Sequence, residues 1–330
     1  MTPNERPIPV TLVTGFLGAG KTTFLNHLLQ DEHGARLAVI INEFDEVGID
    51  RDLVRNASGQ LVEMNNGCLC CTVQGDLKDV IAEIIASGKE LDGIVIETTG
   101  LADPGPIATG LFADPFLCDA TRLDAIVTLV DAFNVPKLLS PSLSADRAED
   151  GALARAQIGY ADVILLNKTD LVTDAEREAL KASLRDLNRM ARLYEVRQSV
   201  VPLSQVLGIE AFEFNARFGP EAPHADGHHH DPGIGSVSFH FERPFDQVKL
   251  NTFFCDLLRE HGNDLYRCKG VVNVEGLDEP LLFQGVSTLF ATASGTWKEG
   301  DTRTTRAVFI GRNLDRARLE AGMLGCLAQA

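Results

Sequence analysis

The sequence has no hydrophobic run long enough to cross a lipid bilayer. A transmembrane helix needs about 18 or more consecutive apolar residues, whereas the apolar stretches here, such as residues 125–130 and 163–166, have the length of a strand. The first residues also lack the basic region and the cleavage site of a secretory signal peptide. We therefore expect neither a membrane-bound nor a secreted protein.

Basic residues are scarce relative to acidic ones. The chain has 30 Lys and Arg against 47 Asp and Glu, which gives a formal net charge of −17. A surface of this charge repels nucleic-acid backbones and anionic lipids, so we expect no nucleic-acid partner and no membrane partner. A single phosphate group bound locally is still compatible with this charge.

Cysteines are few, and their number, seven, is odd. Cys68, Cys70 and Cys71 lie too close together in the sequence to frame a disulfide-bonded fold. A reducing cytoplasm fits this usage best. The four remaining cysteines stand singly among apolar residues and are expected to be packing residues: Cys118, Cys255, Cys268 and Cys326.

The length of 330 residues suggests about two domains. In the first part, apolar stretches alternate with segments of helical periodicity. Strands are predicted at residues 8–14, 37–41, 93–97, 125–130 and 163–166, and helices at residues 21–30, 73–85, 147–161 and 175–190. Strands that are apolar throughout and separated by helices indicate a parallel sheet covered on both faces, an α/β fold.

The alternation stops at residues 218–235, which are rich in Pro, Gly and His and are typical of a linker. We therefore divide the chain into a domain of residues 1–217, the linker, and a smaller α+β domain of residues 236–330. In the last domain strands are predicted at residues 236–242, 266–275, 280–284, 287–293 and 306–310, and helices at residues 245–259 and 314–327.

Residues 15–22 fit the pattern G-x-x-x-x-G-K-[ST] and lie between a predicted strand and a predicted helix, the context of a phosphate-binding loop (P-loop). Backbone N–H groups and the helix dipole would hold the phosphates, Lys21 would neutralise the β- and γ-phosphates, and the Thr22 hydroxyl would reach Mg²⁺. The alternative is a glycine-rich turn with an exposed lysine. The predicted ligands in this segment are Gly18, Ala19, Gly20, Lys21, Thr22 and Thr23.

A second motif, Asn167-Lys168-Thr169-Asp170, follows an apolar strand, at the edge where α/β sheets bind ligands. The Asp170 carboxylate can accept hydrogen bonds from guanine N1–H and the 2-amino group, a pattern that adenine does not offer. Alone the motif is often a solvated turn, but after a P-loop it favours GTP. The predicted base ligands are Asn167, Lys168 and Asp170.

Two acidic segments, residues 42–50 and 96–100, each follow a predicted buried strand. Both would bring carboxylates to the phosphate edge of the sheet, where Glu43 and Glu97 could hold Mg²⁺ or an attacking water. With Lys21 these are the predicted catalytic residues. The alternative interpretation is a polar loop that caps a helix.

The thiols of Cys68, Cys70 and Cys71 form a soft, anionic cluster suited to Zn²⁺ or Co²⁺, although small buried hydrophobic residues are the alternative. The linker offers further ligands, which either collect metal weakly or are merely solvated. Those histidines are His224, His228, His229 and His230.

The segments GFLGAGKTT, NEFDEVGID, GCLCC, ETTGLADP and NKTD, in this order and followed by an α+β domain, resemble the CobW-like GTPases, a family of P-loop metallochaperones. The resemblance implies a GTPase that carries Zn²⁺ or Co²⁺ on the C-x-C-C segment. It also implies nucleotide contacts at Lys21, Thr22, Asn167 and Asp170. The sequence departs from the family at Asp45, where a glycine is usual.

The favoured hypothesis is a cytoplasmic, GTP-hydrolysing metal carrier that delivers its ion to a metal-requiring client protein. A GTP-dependent dimer is compatible with this hypothesis. Two alternatives come from other classes of protein. One is a passive zinc buffer with a vestigial nucleotide site, and the other is a P-loop kinase acting on a small metabolite. Neither uses both the complete nucleotide motifs and the thiol cluster.

Overall fold

Two units make up the chain in the computed structural model, which describes residues 7–30, 34–42, 60–64, 69–88, 90–212, 233–297 and 300–329. The N-terminal unit comprises Met1–Ser183 and Ala191–Phe212, and the C-terminal unit comprises Leu184–Met190 and Glu213–Ala330. Residues 218–232 of the predicted linker lie outside the described residues. No helix within the described ranges is long and apolar enough to span a membrane.

The N-terminal unit is built on a seven-stranded sheet in which all neighbouring strands are parallel. Its strands are β1 (Ile8–Thr14), β2 (Leu37–Asn42), β3 (Gln60–Met64), β4 (Gly93–Glu97), β5 (Thr121–Asp131), β6 (Val163–Asn167) and β7 (Arg192–Glu195). The strand order is β3-β2-β4-β1-β5-β6-β7. Because the chain passes from β1 first to one side of the sheet and later to the other, the carboxyl end of β1 is a topological switch point, where ligands bind in such sheets.

Helices cover both faces of this sheet. They are α1 (Lys21–Gln30), α2 (Leu69–Ala86), α3 (Pro104–Ala113), α4 (Pro115–Ala120), α5 (Val135–Leu139), α6 (Ala148–Tyr160) and α7 (Asp174–Leu187). Val127 and Leu129 of β5 share a buried cluster with Phe24 of α1. Thr128, between them, donates instead to the Gln157 carbonyl of α6, so α1 and α6 lie on opposite faces. The predicted α/β fold is confirmed.

The sequence missed two strands and three helices of this unit. Strand β7 carries no buried residue, so it lacks the apolar run by which the other strands are predicted. Helices α3 and α4 begin at Pro104 and Pro115, and the side chains of Asp103 and Asp114 cap them. Proline is favoured in the first turn of a helix. Because Asp-Pro pairs are also typical of turns, neither helix was predicted.

The C-terminal unit is an antiparallel sheet packed against two helices. It contains β8 (Ile234–Phe241), β9 (Leu265–Val272), β10 (Leu281–Val286), β11 (Leu289–Ser294), β12 (Thr305–Arg312), α8 (Gln247–His261) and α9 (Arg316–Gly325), with strand order β11-β10-β9-β12-β8. Phe239, Phe283 and Phe309 of the sheet pack with Phe254 of α8 and Met323 of α9. The predicted α+β class is confirmed.

Two of the four single cysteines are core residues. Cys268 and Cys326 belong to the core of the C-terminal unit, and burial raises the pKa of the Cys268 thiol to about 12. The packing prediction is wrong for Cys118 and Cys255, which are exposed. On a helix the adjacent side chain points about 100° away, so the apolar neighbour Leu117 takes the buried position instead of Cys118.

Asp124 is a completely buried carboxylate that fastens the end of the N-terminal unit to β5. It accepts hydrogen bonds from Gly208 N (2.8 Å), Glu210 N (2.7 Å) and the Thr11 hydroxyl (3.0 Å). Burial raises its pKa and outweighs these three bonds, which favour the charged form. Burial of the charged carboxylate therefore costs free energy, and the side chain contributes to the fold through the three hydrogen bonds that it accepts.

We expect Asp124→Ala to lower the free energy of unfolding by about 2–4 kcal/mol, because the buried Thr11 hydroxyl and two part-buried backbone N–H groups lose their acceptor. Urea denaturation measures the change. Asp119→Ala, at an exposed position, is the control and should cost less than about 0.5 kcal/mol. Equal stability of the two variants would contradict this role for Asp124.

Candidate nucleotide site

The loop between β1 and α1, residues 15–20, has a conformation that requires glycine. Gly15, Gly18 and Gly20 have φ angles of +141°, +73° and +109°. A Cβ on Gly15 would lie 2.4 Å from the Leu129 carbonyl oxygen, and one on Gly20 would lie 2.4 Å from Asn167 Nδ2. The loop ends at the first residue of α1, so its backbone N–H groups and the helix dipole are suited to bind an anion.

The Lys21 side chain folds back and donates hydrogen bonds to carbonyl groups of this loop. It is only 8% exposed, and its Nζ donates to the Gly15 carbonyl at 2.8 Å and to the Phe16 carbonyl at 3.5 Å. The ammonium group therefore lies beside residues 15–16. In a loop of this pattern the lysine contacts the β- and γ-phosphates of a bound nucleotide.

The cleft beside the loop has a volume of about 450 Å³ and an open mouth. It is lined by Gly18, Gly20, Lys21, Thr22, Thr23, Asn167, Lys168, Asp170 and Gln198. The structure thus brings together eight of the nine predicted nucleotide ligands. The ninth, Ala19, is buried, and its carbonyl accepts a hydrogen bond from Asn167 instead.

Asn167 joins three segments of the cleft. Its Nδ2 donates to the Ala19 carbonyl and to Ser199 Oγ, both at 2.9 Å, and its Oδ1 accepts from Ser199 N at 3.0 Å. Ser199 Oγ in turn donates to the Gly20 carbonyl at 3.0 Å. The loop after β6 and the loop after β7 are therefore both fastened to the P-loop.

Gln198 and Ser199 were not predicted from the sequence. Both have positive φ angles, 49° and 57°, although neither is glycine. Strained backbone of this kind persists where surrounding contacts fix it, and it is frequent at binding sites. No sequence motif marks these residues, and only their position after the strand that neighbours β6 points to the cleft.

Lys168 is oriented by a carboxylate that was also missed. Its Nζ lies 2.6 Å from Asp131 Oδ2, and Asp131 also accepts from the backbone N–H groups of Phe133 and Asn134. Burial raises the pKa of Asp131, but the hydrogen bonds from Lys168 and Asn134 outweigh burial and hold the pKa below its usual range. The carboxylate is therefore charged, and it fixes Lys168 while the exposed Asp170 lines the cleft.

Glu97 ends β4, is 7% exposed, and lies in register with Val13 of the neighbouring β1. Thr22 follows Lys21 in the first turn of α1. Carboxylate and hydroxyl oxygens are the donors that Mg²⁺ prefers, so the residues at this edge fit that ion. The other predicted catalytic carboxylate, Glu43, lies outside the described residues, as does Asp45.

The predicted metal ligands are only partly placed. Cys70 and Cys71 lie in the first turn of α2, which follows β3 at the carboxyl edge of the sheet. Their side chains, Cys68 and the linker histidines His224, His228, His229 and His230 are outside the described part of the structure. Among the side chains that are described, no group of three or more His, Cys, Asp or Glu could hold a metal ion.

Two known domains match the chain in succession. Residues 9–195 match the CobW/HypB/UreG nucleotide-binding domain, and residues 234–327 match the cobalamin synthesis protein cobW C-terminal domain. The chain belongs to the CobW family. The resemblance drawn from its motifs is thereby confirmed.

Similar CobW-family proteins cover nearly the whole chain. "Zinc chaperone YjiA" of Escherichia coli is 34% identical over 97% of this chain and 98% of its own length. "Zinc chaperone CobW" of Pseudomonas aeruginosa is 35% identical over 97% of this chain and 92% of its own length. The crystal structure of Zn(II)-bound YjiA GTPase from E. coli covers 98% of this chain and all of that chain, at 30% identity and a TM-score of 0.77.

Proposed function

We propose that this CobW-family chain is a cytoplasmic GTPase that carries Zn²⁺ and transfers it to a client protein. The observation that carries the proposal is the hydrogen-bond network of Asn167, which joins the P-loop and the guanine-type motif in one cleft. The names of its relatives support the cargo, since two of them are zinc chaperones. A solved GTPase structure of the same fold supports the activity.

The phosphate end of the cleft would hydrolyse GTP to GDP and phosphate. The oxygen of a water molecule attacks the γ-phosphorus, and the bond from that phosphorus to the β–γ bridging oxygen breaks, so that this oxygen leaves with GDP. One proton of the water stays on the phosphate product and the other is released to solvent. Lys21 and the loop N–H groups stabilise the charge on the phosphate oxygens, which is the main catalytic effect in phosphoryl transfer. Glu97, which ends β4 at the same edge, would orient the water. Mg²⁺, which Thr22 and Glu97 fit, would neutralise further charge when bound.

The base end would select guanine. Asp170 is exposed within the cleft, so its two carboxylate oxygens are available to guanine N1–H and the 2-amino group. Asn167 is occupied by the P-loop and Ser199, and Lys168 by Asp131. We therefore assign discrimination between bases to Asp170 and the geometry of the cleft to Asn167 and Lys168.

Zinc would be held as cargo by Cys68, Cys70 and Cys71. The backbone of α2 places the last two cysteines at the start of a helix on the carboxyl edge of the sheet, the edge that also carries the P-loop. Cobalt suits the same thiolates. Closure of this edge on Mg²⁺·GTP would therefore also move the thiols, which gives GTP hydrolysis a means of releasing the metal.

The same edge offers a surface for a protein partner. Five exposed apolar side chains each follow the carboxyl end of a strand by two to five residues: Leu17, Leu101, Phe133, Leu171 and Val200. Exposed apolar side chains grouped around a ligand site are typical of an interaction surface. We propose that the client protein docks here, and that a second copy of the chain does so in a GTP-dependent dimer.

Metal binding and nucleotide binding should be coupled. Coupling between two ligands is typically worth about 1–3 kcal/mol, so Mg²⁺·GTP should tighten Co²⁺ or Zn²⁺ binding by about 5- to 150-fold relative to Mg²⁺·GDP. Thiolate-to-Co²⁺ absorption measures this, with a non-hydrolysable GTP analogue in the GTP arm.

Replacing Cys68, Cys70 and Cys71 together by serine should abolish this absorption band. The matched control is the double variant Cys118→Ser, Cys255→Ser, which removes exposed thiols and should leave the band intact. Equal metal affinity in the two nucleotide states would instead identify a metal buffer that happens to hydrolyse GTP.

A further inference from the structure

Gln157 is a buried amide that belongs to none of the motifs. It lies in α6 and is 1% exposed. Its Nε2 donates to the carbonyl oxygen of Gly100 at 3.2 Å and to that of Ala102 at 3.1 Å. Because an amide nitrogen carries two N–H groups, Gln157 uses both donors on residues 98–102, which we call the β4 loop.

Helix α6 is itself fixed to the sheet beside this contact. The Thr128 hydroxyl of β5 donates to the Gln157 carbonyl at 2.8 Å, which fixes the helix to the sheet at the same residue. Nearly one turn further on, the ring of Tyr160 lies against Gly105, where a Cβ would be 2.4 Å from the Tyr160 hydroxyl. Movement of the β4 loop away from α6 therefore has to break the bonds of Gln157.

The β4 loop lies directly against the P-loop. A Cβ on Gly100 would be 2.6 Å from Leu17 Cδ2 and 2.8 Å from Leu17 N. At the start of the loop, Thr98 N donates to the Val13 carbonyl at 2.9 Å. Leu17 adjoins residues 15–16, whose carbonyls bind the Lys21 ammonium, so the β4 loop packs beside the part of the P-loop to which we assign the terminal phosphate.

The side chain of Thr98 does not anchor the loop. It is fully buried, and its hydroxyl has no hydrogen-bond partner in the part of the chain that the structure describes. The backbone bonds of Thr98 N to the Val13 carbonyl and of Ala102 N to the Thr99 carbonyl hold the loop together with the Gln157 amide, which contacts it through a side chain from another element.

We propose that Gln157 is a positioning residue for GTP hydrolysis, holding the β4 loop against the P-loop in the arrangement that the terminal phosphate needs. This inference rests on the proposed GTPase activity. GDP lacks the terminal phosphate, so loss of the Gln157 amide should slow hydrolysis and leave GDP affinity nearly unchanged. A residue that only stabilised the fold would weaken both.

The test compares Gln157→Met, which keeps the length of the side chain but has no donor, with the wild-type protein. Two neutral hydrogen bonds are lost, so the single-turnover rate with saturating Mg²⁺·GTP should fall about 10- to 100-fold. The Kd for GDP should stay within about threefold of wild type. The matched control is Arg155→Met, which removes a bond from the same helix to the Leu139 carbonyl and should leave both quantities unchanged.

A wild-type rate in Gln157→Met, an equal loss of GDP affinity, or an equal loss of rate in Arg155→Met would each overturn the proposal. Gln157→Asn withdraws the amide by one methylene and serves if Gln157→Met does not fold. An intermediate rate in that variant supports the role, and a wild-type rate overturns it. Absence of hydrolysis by the wild-type protein in the same assay would refute the GTPase activity and this role with it.

Discussion

Replacing Lys21 by alanine should lower the rate of GTP hydrolysis by about 10²–10³-fold or more. Its ammonium group donates to the carbonyl oxygens of Gly15 and Phe16 in the P-loop, where we propose that the terminal phosphate binds. Because it is preorganised and largely shielded from water, it would stabilise transition-state charge at little cost in reorganisation, and loss of one such group has an effect of this size. Phosphate release under saturating Mg²⁺·GTP measures the rate.

The control is Lys249→Ala, which removes an exposed lysine of α8 in the C-terminal unit and should leave the rate unchanged. Circular dichroism should show the same helix content in both variants, since the bonds from Lys21 Nζ to the Gly15 and Phe16 carbonyls lie in the loop and not within a helix. Hydrolysis by Lys21→Ala at the wild-type rate would contradict the assignment of the phosphate end.

Replacing Asp170 by asparagine should exchange the preference for GTP for a preference for xanthosine triphosphate. Xanthine has a carbonyl where guanine has the 2-amino group, so an asparagine can donate to that carbonyl while it accepts from N1–H. A site built for one hydrogen-bond pattern rejects the other by a large factor. We expect GTP affinity to fall by at least about 100-fold and xanthosine triphosphate affinity to rise by a similar factor.

Asp174→Asn is the matched control for this exchange. It makes the same substitution four residues further on, at a side chain that is 90% exposed at the start of α7, and should leave both affinities unchanged. Competition against a fluorescent guanine nucleotide gives the affinities. If Asp170→Asn weakened both nucleotides equally, Asp170 would support the cleft and another residue would read the base.

Local sequence patterns predicted the elements whose structure depends on a few residues that are adjacent in the sequence. Strands β1 and β4 are predicted over their full length, because a central parallel strand is apolar on both faces. The P-loop glycines are predicted because their φ angles are positive and exclude other side chains. In both cases the physical requirement acts on a few adjacent residues.

Contacts between distant segments could not be predicted in the same way. Ser199 binds Asn167 across 32 positions, and Asp131 pairs with Lys168 across 37. Nothing in the residues near Asp131 or Ser199 distinguishes them from other polar residues at strand ends and in loops, and their partners are set by the order of strands in the sheet. Gln157, whose partners are 55 and 57 positions away, is a further example.

Competition binding of Mg²⁺·GTP and Mg²⁺·ATP to the wild-type protein tests directly whether the cleft is specific for guanine. Adenine offers no pair of N–H donors that matches the two oxygens of the Asp170 carboxylate. We expect GTP to bind at least about 100-fold more tightly than ATP. Comparable affinities would contradict the GTPase and would favour a P-loop kinase.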